Sequence, residues 1–403
     1  MAMPPETSLH ANLGEAPKDF SLVLGGPLYQ LFRRSRLADN GMNLLQRRLL
    51  AIPLLVWLPL LALSIIQGHA WSGVAVPFIK DIELHIRFLV AMPLLIVAEV
   101  IVHLRMRRLI STFLDRQLIP ETDMPRFNAA IETAFKWRNS VAAEILMIVF
   151  VYVFGILVIW KNYVGLNIDT WYASMLGGQR NLNLAGYWLL LVSLPFFQFL
   201  LIRWYFRLFI WIRFLWQVSR IKLNLMPTHP DRIGGLGFLT NIIYAFSVLA
   251  MAHGCLLAAL IANRIFFTDA RLFDFKFDIL AMLVYLFIIL VLPLFVFSAQ
   301  LAATKREGLR EYGALAQRYV AAYDRKWLRG GAPEREDFLG SGDIQSLADL
   351  ANGYEIISKM RFLPINRQTL AQLAGWTLLP VLPLLLTIMP FEDLLKRLFS
   401  LIL

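Results

Sequence analysis

"ILAMLVYLFIILVLPLFVFSAQLAAT", Ile279 to Thr304, contains no Asp, Glu, Lys or Arg. A helix needs about 20 apolar residues to cross the hydrocarbon core of a bilayer, and this run is longer than that. Lipid offers no partner for a bare amide or carbonyl, so the run reads as a transmembrane α-helix. Outward from it lie four more uncharged runs of similar length: Leu49 to Ile79, Asn181 to Ile202, Ile233 to Asn263 and Gln368 to Phe391. Two further apolar runs carry charge: Leu84 to Leu104 holds Arg87 and Glu99, and Val141 to Trp160 holds Glu144. The fold class expected is therefore an all-α integral membrane protein of about seven transmembrane helices. The composition agrees, being 58% hydrophobic and only 17% charged over 403 residues.

Orientation follows from Lys and Arg. With the N-terminus inside, residues 1–48, 105–140, 203–232 and 305–367 are cytoplasmic and hold 30 of the 39 basic residues. An odd number of spans then puts the C-terminus outside. The net charge of +11 is read as loops facing anionic lipid headgroups, and no nucleic-acid partner is expected. About 45 mixed polar residues precede the first strong apolar run, so no cleavable signal peptide is expected and the first span inserts itself. Ser21 to Phe32, followed by "RRSR", reads as an interfacial segment on the inner leaflet. The expected location is a bacterial inner membrane.

The organisation expected is a cytoplasmic segment 1–48, spans one and two over 49–104, a cytoplasmic helical hairpin over 105–140, and spans three to six over 141–304 with a loop near 221–238. A cytoplasmic helical insertion over 305–367 and a last span with its tail over 368–403 complete it. Arg105 to Asn139 shows apolar residues at helical spacing on both sides of Pro120 and Pro125. Lys305 to Arg367 repeats that pattern, with "LRGGAPEREDFLGSG" (Leu328 to Gly342) read as a solvated turn between helices. The last span contains Pro380, Pro383 and Pro390 and is expected to be kinked or re-entrant, ahead of an amphipathic helix "FEDLLKRLFSLIL".

Ionisable residues inside spans are costly and mark candidate sites. Glu99 and His103 share a helix face, with His85 close to the same side. The topology puts Glu99, His103, Glu144, Gln198, Arg203 and Gln300 near the cytoplasmic ends of their helices, a polar layer in the inner third of the membrane. Arg203 and Arg207 open an arginine-rich stretch, "RWYFRLFIWIRFLWQVSRIK", which is either an aromatic belt with basic anchors or an inward face pairing with acids. Its arginine spacings of 4, 6 and 7 do not suit a voltage sensor. His253, beside Gly254, is expected to make a close helix contact or one interhelical hydrogen bond, with proton relay or metal ligation as the sharper alternatives.

"MPTHPDRIGGLGFL", Met226 to Leu239, joins the arginine-rich helix to the fifth span. Pro227 and Pro230 stop the preceding helix, Thr228 or Asp231 can cap, and Gly234, Gly235 and Gly237 permit a tight turn. Exposed amides at a helix start, with His229 and Arg232 beside them, could hold an anion; the other readings are a structural turn, or a gating or acid/base role for His229 and Asp231. The loop is placed directly beneath the Glu99, Glu144 and Arg203 layer. Neither a phosphate-binding Gly-Lys-Ser/Thr loop nor a strand before it is present.

A single cysteine, Cys255, and the absence of HExxH or Cys/His clusters lead to no expected metal or cofactor. The function expected first is an oligomeric channel, as a homo-oligomer, or a transporter for ions or small solutes. The alternatives are a sensor or scaffold whose cytoplasmic hairpins bind a protein partner, and an enzyme on a lipid-linked or phosphorylated substrate using His229 and Asp231 with Arg232 and Arg203 as clamps.

Overall fold

The computed structural model describes residues 20–23, 25–27, 30, 45–155, 169–176, 179–268, 270–333, 336–337 and 340–387. Helix makes up 78% of it, with almost no sheet. In chain order come α1 (Leu45–Ile66), α2 (Ile82–Asp115), α3 (Met124–Arg138), α4 (Val141–Gly155), α5 (Leu184–Val218), α6 (Leu236–Thr268), α7 (Leu272–Leu328), α8 (Gly342–Ser358) and α9 (Arg367–Thr387). Among the described residues α1, α2, α5, α6, α7 and α9 are long and apolar enough to cross a membrane, and α3 with α4, bent by 48°, makes a seventh if the pair counts as one span. These apolar helices suit a polytopic integral membrane protein. Most of the segment 1–48, Ile156 to Trp160, Pro390 and the tail "FEDLLKRLFSLIL" lie outside the described residues.

Several boundaries differ from the sequence expectation, each for a local reason. α1 stops at Ile66, well short of Ile79, because Gly68 and Gly73 take left-handed backbone angles of +74° and +89°. α2 begins only at Ile82, where the Asp81 carboxylate accepts from Leu84 N at 3.1 Å and caps the first turn. It then runs unbroken past Arg105 to Asp115, so the first half of the segment 105–140 is the end of this helix and only α3 is separate. In the same way α7 continues to Leu328, with α8 packed back on it through hydrogen bonds from Tyr319 Oη to Asp343 O and from Trp327 Nε1 to Asp343 Oδ2. Before α5 the chain forms a two-stranded antiparallel sheet, β1 (Ala173–Leu176) and β2 (Gln179–Leu182), with Ala173 opposite Leu182, so Asn181 and Leu182, expected as the start of a span, belong to a strand. Asn183 ends it, accepting from Gly186 N and donating to Trp171 O.

Two helices carry the same internal irregularity. Pro93 in α2 and Pro195 in α5 have no N–H to give, and just before each the helix widens into a π turn, Arg87–Ala91 and Leu189–Ser193. Met92 N bonds Arg87 O and Leu194 N bonds Leu189 O, five residues back. The Leu191 carbonyl, deprived of its usual donor by Pro195, accepts from Tyr152 Oη of α4 at 3.2 Å. In α9, Pro380 and Pro383 fall in a 3₁₀ stretch, Leu379–Thr387, that follows the α-helical part ending at Leu378.

α6 is the central helix, 78% buried over its most apolar window against 28% for α1, α7 and α9. The outer helices expose apolar side chains such as Leu55 (70%) and Ile66 (78%), a surface for lipid. Without a hydrophobic force between helices in lipid, close approach of small residues holds them. At Gly254 of α6 an added Cβ would stand 2.0 Å from Thr377 O of α9, whereas at Gly375 of α9 it would meet nothing within 4 Å. Gly254→Ala is therefore expected to cost about 1–3 kcal/mol, and Gly375→Ala to be neutral or slightly stabilising. Melting of the two purified variants in detergent checks this; equal melting temperatures would contradict the α6–α9 contact.

Candidate functional site

Glu99 of α2 is the hub of a buried charge layer. Its Oε2 accepts from Arg48 Nη1 of α1 at 2.9 Å, its Oε1 from Arg207 Nη2 of α5 at 2.7 Å, and Arg203 Nη1 lies 3.9 Å from Oε1. Arg203 also reaches Glu144 of α4, Nε to Oε1, at 3.6 Å. All five side chains are buried, so three guanidiniums and two carboxylates from α1, α2, α4 and α5 meet away from water. Geometry explains the choice of Arg over Lys, since one guanidinium can serve two carboxylates through different nitrogens. Arg207 is further held over the Trp204 ring at 4.7 Å, and Trp204 Nε1 donates to Leu95 O of α2. His103, one turn beyond Glu99, pairs through Nδ1 with Ser21 Oγ at 2.8 Å.

This layer joins Glu99, Glu144, Arg203 and Arg207, which the sequence singled out, and adds Arg48, which it did not. His85 belongs elsewhere, receiving Trp57 Nε1 and facing Phe78 O. Gln198 and Gln300 lie outside the layer too. Gln198 packs over Gly155, and Gln300 donates to Ser219 O and Ile221 O, tying α7 to the segment that follows α5. His253 makes one interhelical hydrogen bond, Nε2 to Tyr205 Oη at 2.6 Å, while Nδ1 faces Leu249 O of its own helix at 2.8 Å. With Nδ1–H given to that carbonyl, Nε2 is the acceptor for the tyrosine.

The loop Met226 to Leu239 corrects two expectations. Its amides are already taken: Asp231 Oδ1 accepts from Ile233 N (2.8 Å) and Gly235 N (3.1 Å), and Oδ2 from Gly237 N (2.9 Å). The anion that such a nest of N–H groups attracts is the chain's own carboxylate. Burial raises the Asp231 carboxyl, yet these three amides and the neighbouring His229, whose Nδ1 is 2.9 Å from Oδ1, hold it below the ordinary carboxylate range. The loop is also not beneath the charge layer. It packs at the far end of α2, where Phe238 meets Phe113 edge-on at 5.0 Å and Arg116, just past the last turn, donates to Gly235 O at 2.7 Å. Arg116 is about 25 Å along the helix from Glu99 at 1.5 Å per residue. Arg232, left-handed at φ +57°, gives its carbonyl to Arg361 N beyond α8. His229, Asp231 and Arg232 are thus brought together with each other, and not with Arg203.

Sequence reasoning also missed a cavity of about 620 Å³ at the opposite end of the helices, between α2, α5 and α6. Asp81, Glu83, Arg87, Asn263, Arg264 and Thr268 give it polar walls, and Leu84, Leu189 and Leu260 apolar ones. Asp81 is fully engaged, accepting from Trp171 Nε1 (3.0 Å), Leu84 N and Asn263 Nδ2 (3.0 Å). Glu83 and Arg87 pair one turn apart, and Arg264 leans over the Phe275 ring and forms no ion pair among the described residues. The available signal was that Asp81, Glu83, Arg87, Asn263 and Arg264 all sit at span ends on one side; they read as ordinary boundary residues. Among the described residues no three His, Cys, Asp or Glu side chains gather to ligate a metal. No family model, no curated protein and no solved structure matches this chain.

Proposed function

We propose that the chain is a transporter for a small polar solute, with its binding site in the cavity between α2, α5 and α6 and its closed gate at the Glu99 layer. The observation that carries this is the cavity itself, large enough for a metabolite-sized ligand and formed within a single chain. A channel would instead need a polar path running through, and the cavity is separated from the charge layer by a packed apolar stretch that includes Phe88, Met92, Leu95 and Phe197. Arg87 and Glu99 mark the two levels, about 18 Å apart along α2. The π turns lie at the cavity floor, since Arg87 and Leu189 belong both to them and to the wall. Such turns concentrate at functional sites, and a proline-widened helix is a natural bending point for opening one end as the other closes. In an N-in bacterial inner membrane the cavity faces outward and the ion pairs seal the cytoplasmic side. The solute expected carries an anionic group for Arg264 and hydrogen-bonding groups for Asn263 and Thr268.

The test is uptake of labelled carboxylate and zwitterionic solutes by liposomes containing the purified protein. Expected is saturable uptake of at least one, reduced to background by Asn263→Trp, which fills the cavity while leaving the distant Glu99 layer intact. Absence of uptake across the panel by well-folded protein, or uptake indifferent to Asn263→Trp, would overturn the assignment.

A further inference from the structure

Beyond the charge layer, α5 continues into a face of aromatic rings and arginines that transport does not require. Arg213 lies over the Trp137 ring of α3 at 5.6 Å, Trp137 meets Phe209 edge-on at 5.7 Å, and Arg220 lies over the Trp216 ring at 5.1 Å. These rings are not core: Trp137, Phe209 and Trp216 are 38%, 45% and 47% exposed. The Nε of Arg213 is buried and, among the described residues, has no hydrogen-bond partner. Lys136 beside Trp137 is exposed, and among the described residues Lys136, Arg213 and Arg220 form no ion pair.

The level of this face is fixed by its neighbour. Directly after Trp137 the chain turns at Ser140 into α4, whose first residues already present apolar side chains outward, Val141 at 56%, Ile145 at 56% and Leu146 at 69% exposed. The cationic face therefore stands where the lipid-facing surface ends, at headgroup height. Aromatic rings with one polar edge are at home there, and guanidinium groups take phosphate through paired hydrogen bonds. Among the described residues no carboxylate pairs with these cations, and the apolar track for acyl chains begins one turn away.

We infer that Lys136, Trp137, Phe209, Arg213, Trp216 and Arg220 bind the headgroup of an anionic phospholipid whose acyl chains lie along the exposed side of α4. A zwitterionic headgroup is a poorer fit, because its own ammonium brings positive charge to three cations. The inference stands apart from the transport reading, since a membrane protein of any activity could carry such a site.

The experiment uses the delipidated full-length protein in detergent with equal amounts of phosphatidylglycerol and phosphatidylcholine, counting retained lipid by native mass spectrometry. Phosphatidylglycerol is expected to be retained selectively. Each cation removed should weaken retention about fivefold, so Lys136→Gln with Arg213→Gln weakens it roughly 25-fold. Arg213→Lys, which keeps the charge, should preserve the preference, and Arg310→Gln on the exposed side of α7 should change nothing. Lys136→Gln alone alters only an exposed side chain, so its fivefold loss reads the site on a protein with an unchanged melt. Equal retention of the two lipids, unchanged retention in the double variant, or displacement of the lipid by excess inorganic phosphate would overturn the inference.

Discussion

Glu99→Ala is expected to lose about 3–5 kcal/mol of stability, the usual cost of removing one partner from a buried ion pair. The loss is large because the carboxylate faces Arg48, Arg203 and Arg207 together, and none of the three can reach water from its buried place. Glu144 touches Arg203 at 3.6 Å and leaves Arg48 and Arg207 without their carboxylate. The charges, and not the packing, should be responsible, which a compensated variant can show. Replacing Glu99, Arg48 and Arg207 together by methionine removes the set and is expected to restore most of the stability, because apolar residues of similar volume substitute well for buried ion groups. Thermal melting and monodispersity in detergent read both variants. A single Glu99→Ala protein that melts like the parent would remove the layer from any account of the fold. If the layer is a gate, the methionine variant should also be folded and unable to move solute, which separates its two roles.

Asp231→Ala is expected to lose about 2–4 kcal/mol, since the carboxylate makes charge-assisted hydrogen bonds to three backbone amides in a half-buried loop. The dependence on pH has a definite sign. A carboxyl held below its ordinary range in the folded protein stabilises the fold fully above the ordinary value near 3.8 and loses that contribution as pH falls through the lowered folded value. The gap in stability between parent and Asp231→Asn should therefore close progressively below about pH 4. A gap that widens on acidification would mean that Asp231 is held protonated, contrary to its three donors. Phosphate in the buffer should not rescue Asp231→Asn if the loop is purely a structural turn.

The spans were legible because run length and absence of charge are direct consequences of bilayer thickness. Glu99 and Glu144 were legible for the same reason, since charge inside such runs stands out, and Arg203 and Arg207 because they lie four apart on one helix face just past the end of a run. Arg48 was not, because it precedes the first apolar run and counts equally well as a headgroup anchor; only the fold of α1 against α2 turns it inward. The hairpin 173–182 is too short and too polar to announce strands, and it depends on Asn183 and Trp171 holding its ends. The loop carried its own clue in "DRIGGLG", an aspartate followed by glycines whose amides can fold back on it. Reading those amides as open to a ligand overlooked the nearest anion in the chain. The cavity escaped notice because its walls come from residues distant in sequence, Asp81 to Arg87 and Asn263 to Thr268, and because each alone looks like a helix end.

Each π turn holds one residue more than an α-helical turn would, and one residue corresponds to about 100° of rotation. The azimuth of everything below Ala91 in α2, and below Ser193 in α5, is thus offset from what lies above. A stripe traced at constant period through Arg87–Ala91 or Leu189–Ser193 changes sides partway. The two halves of each helix are in effect separate amphipathic units with independent phase. One half can present polar groups to a cavity and the other present Glu99 or Arg203 to its neighbours, and a change in the pattern of one does not turn the other.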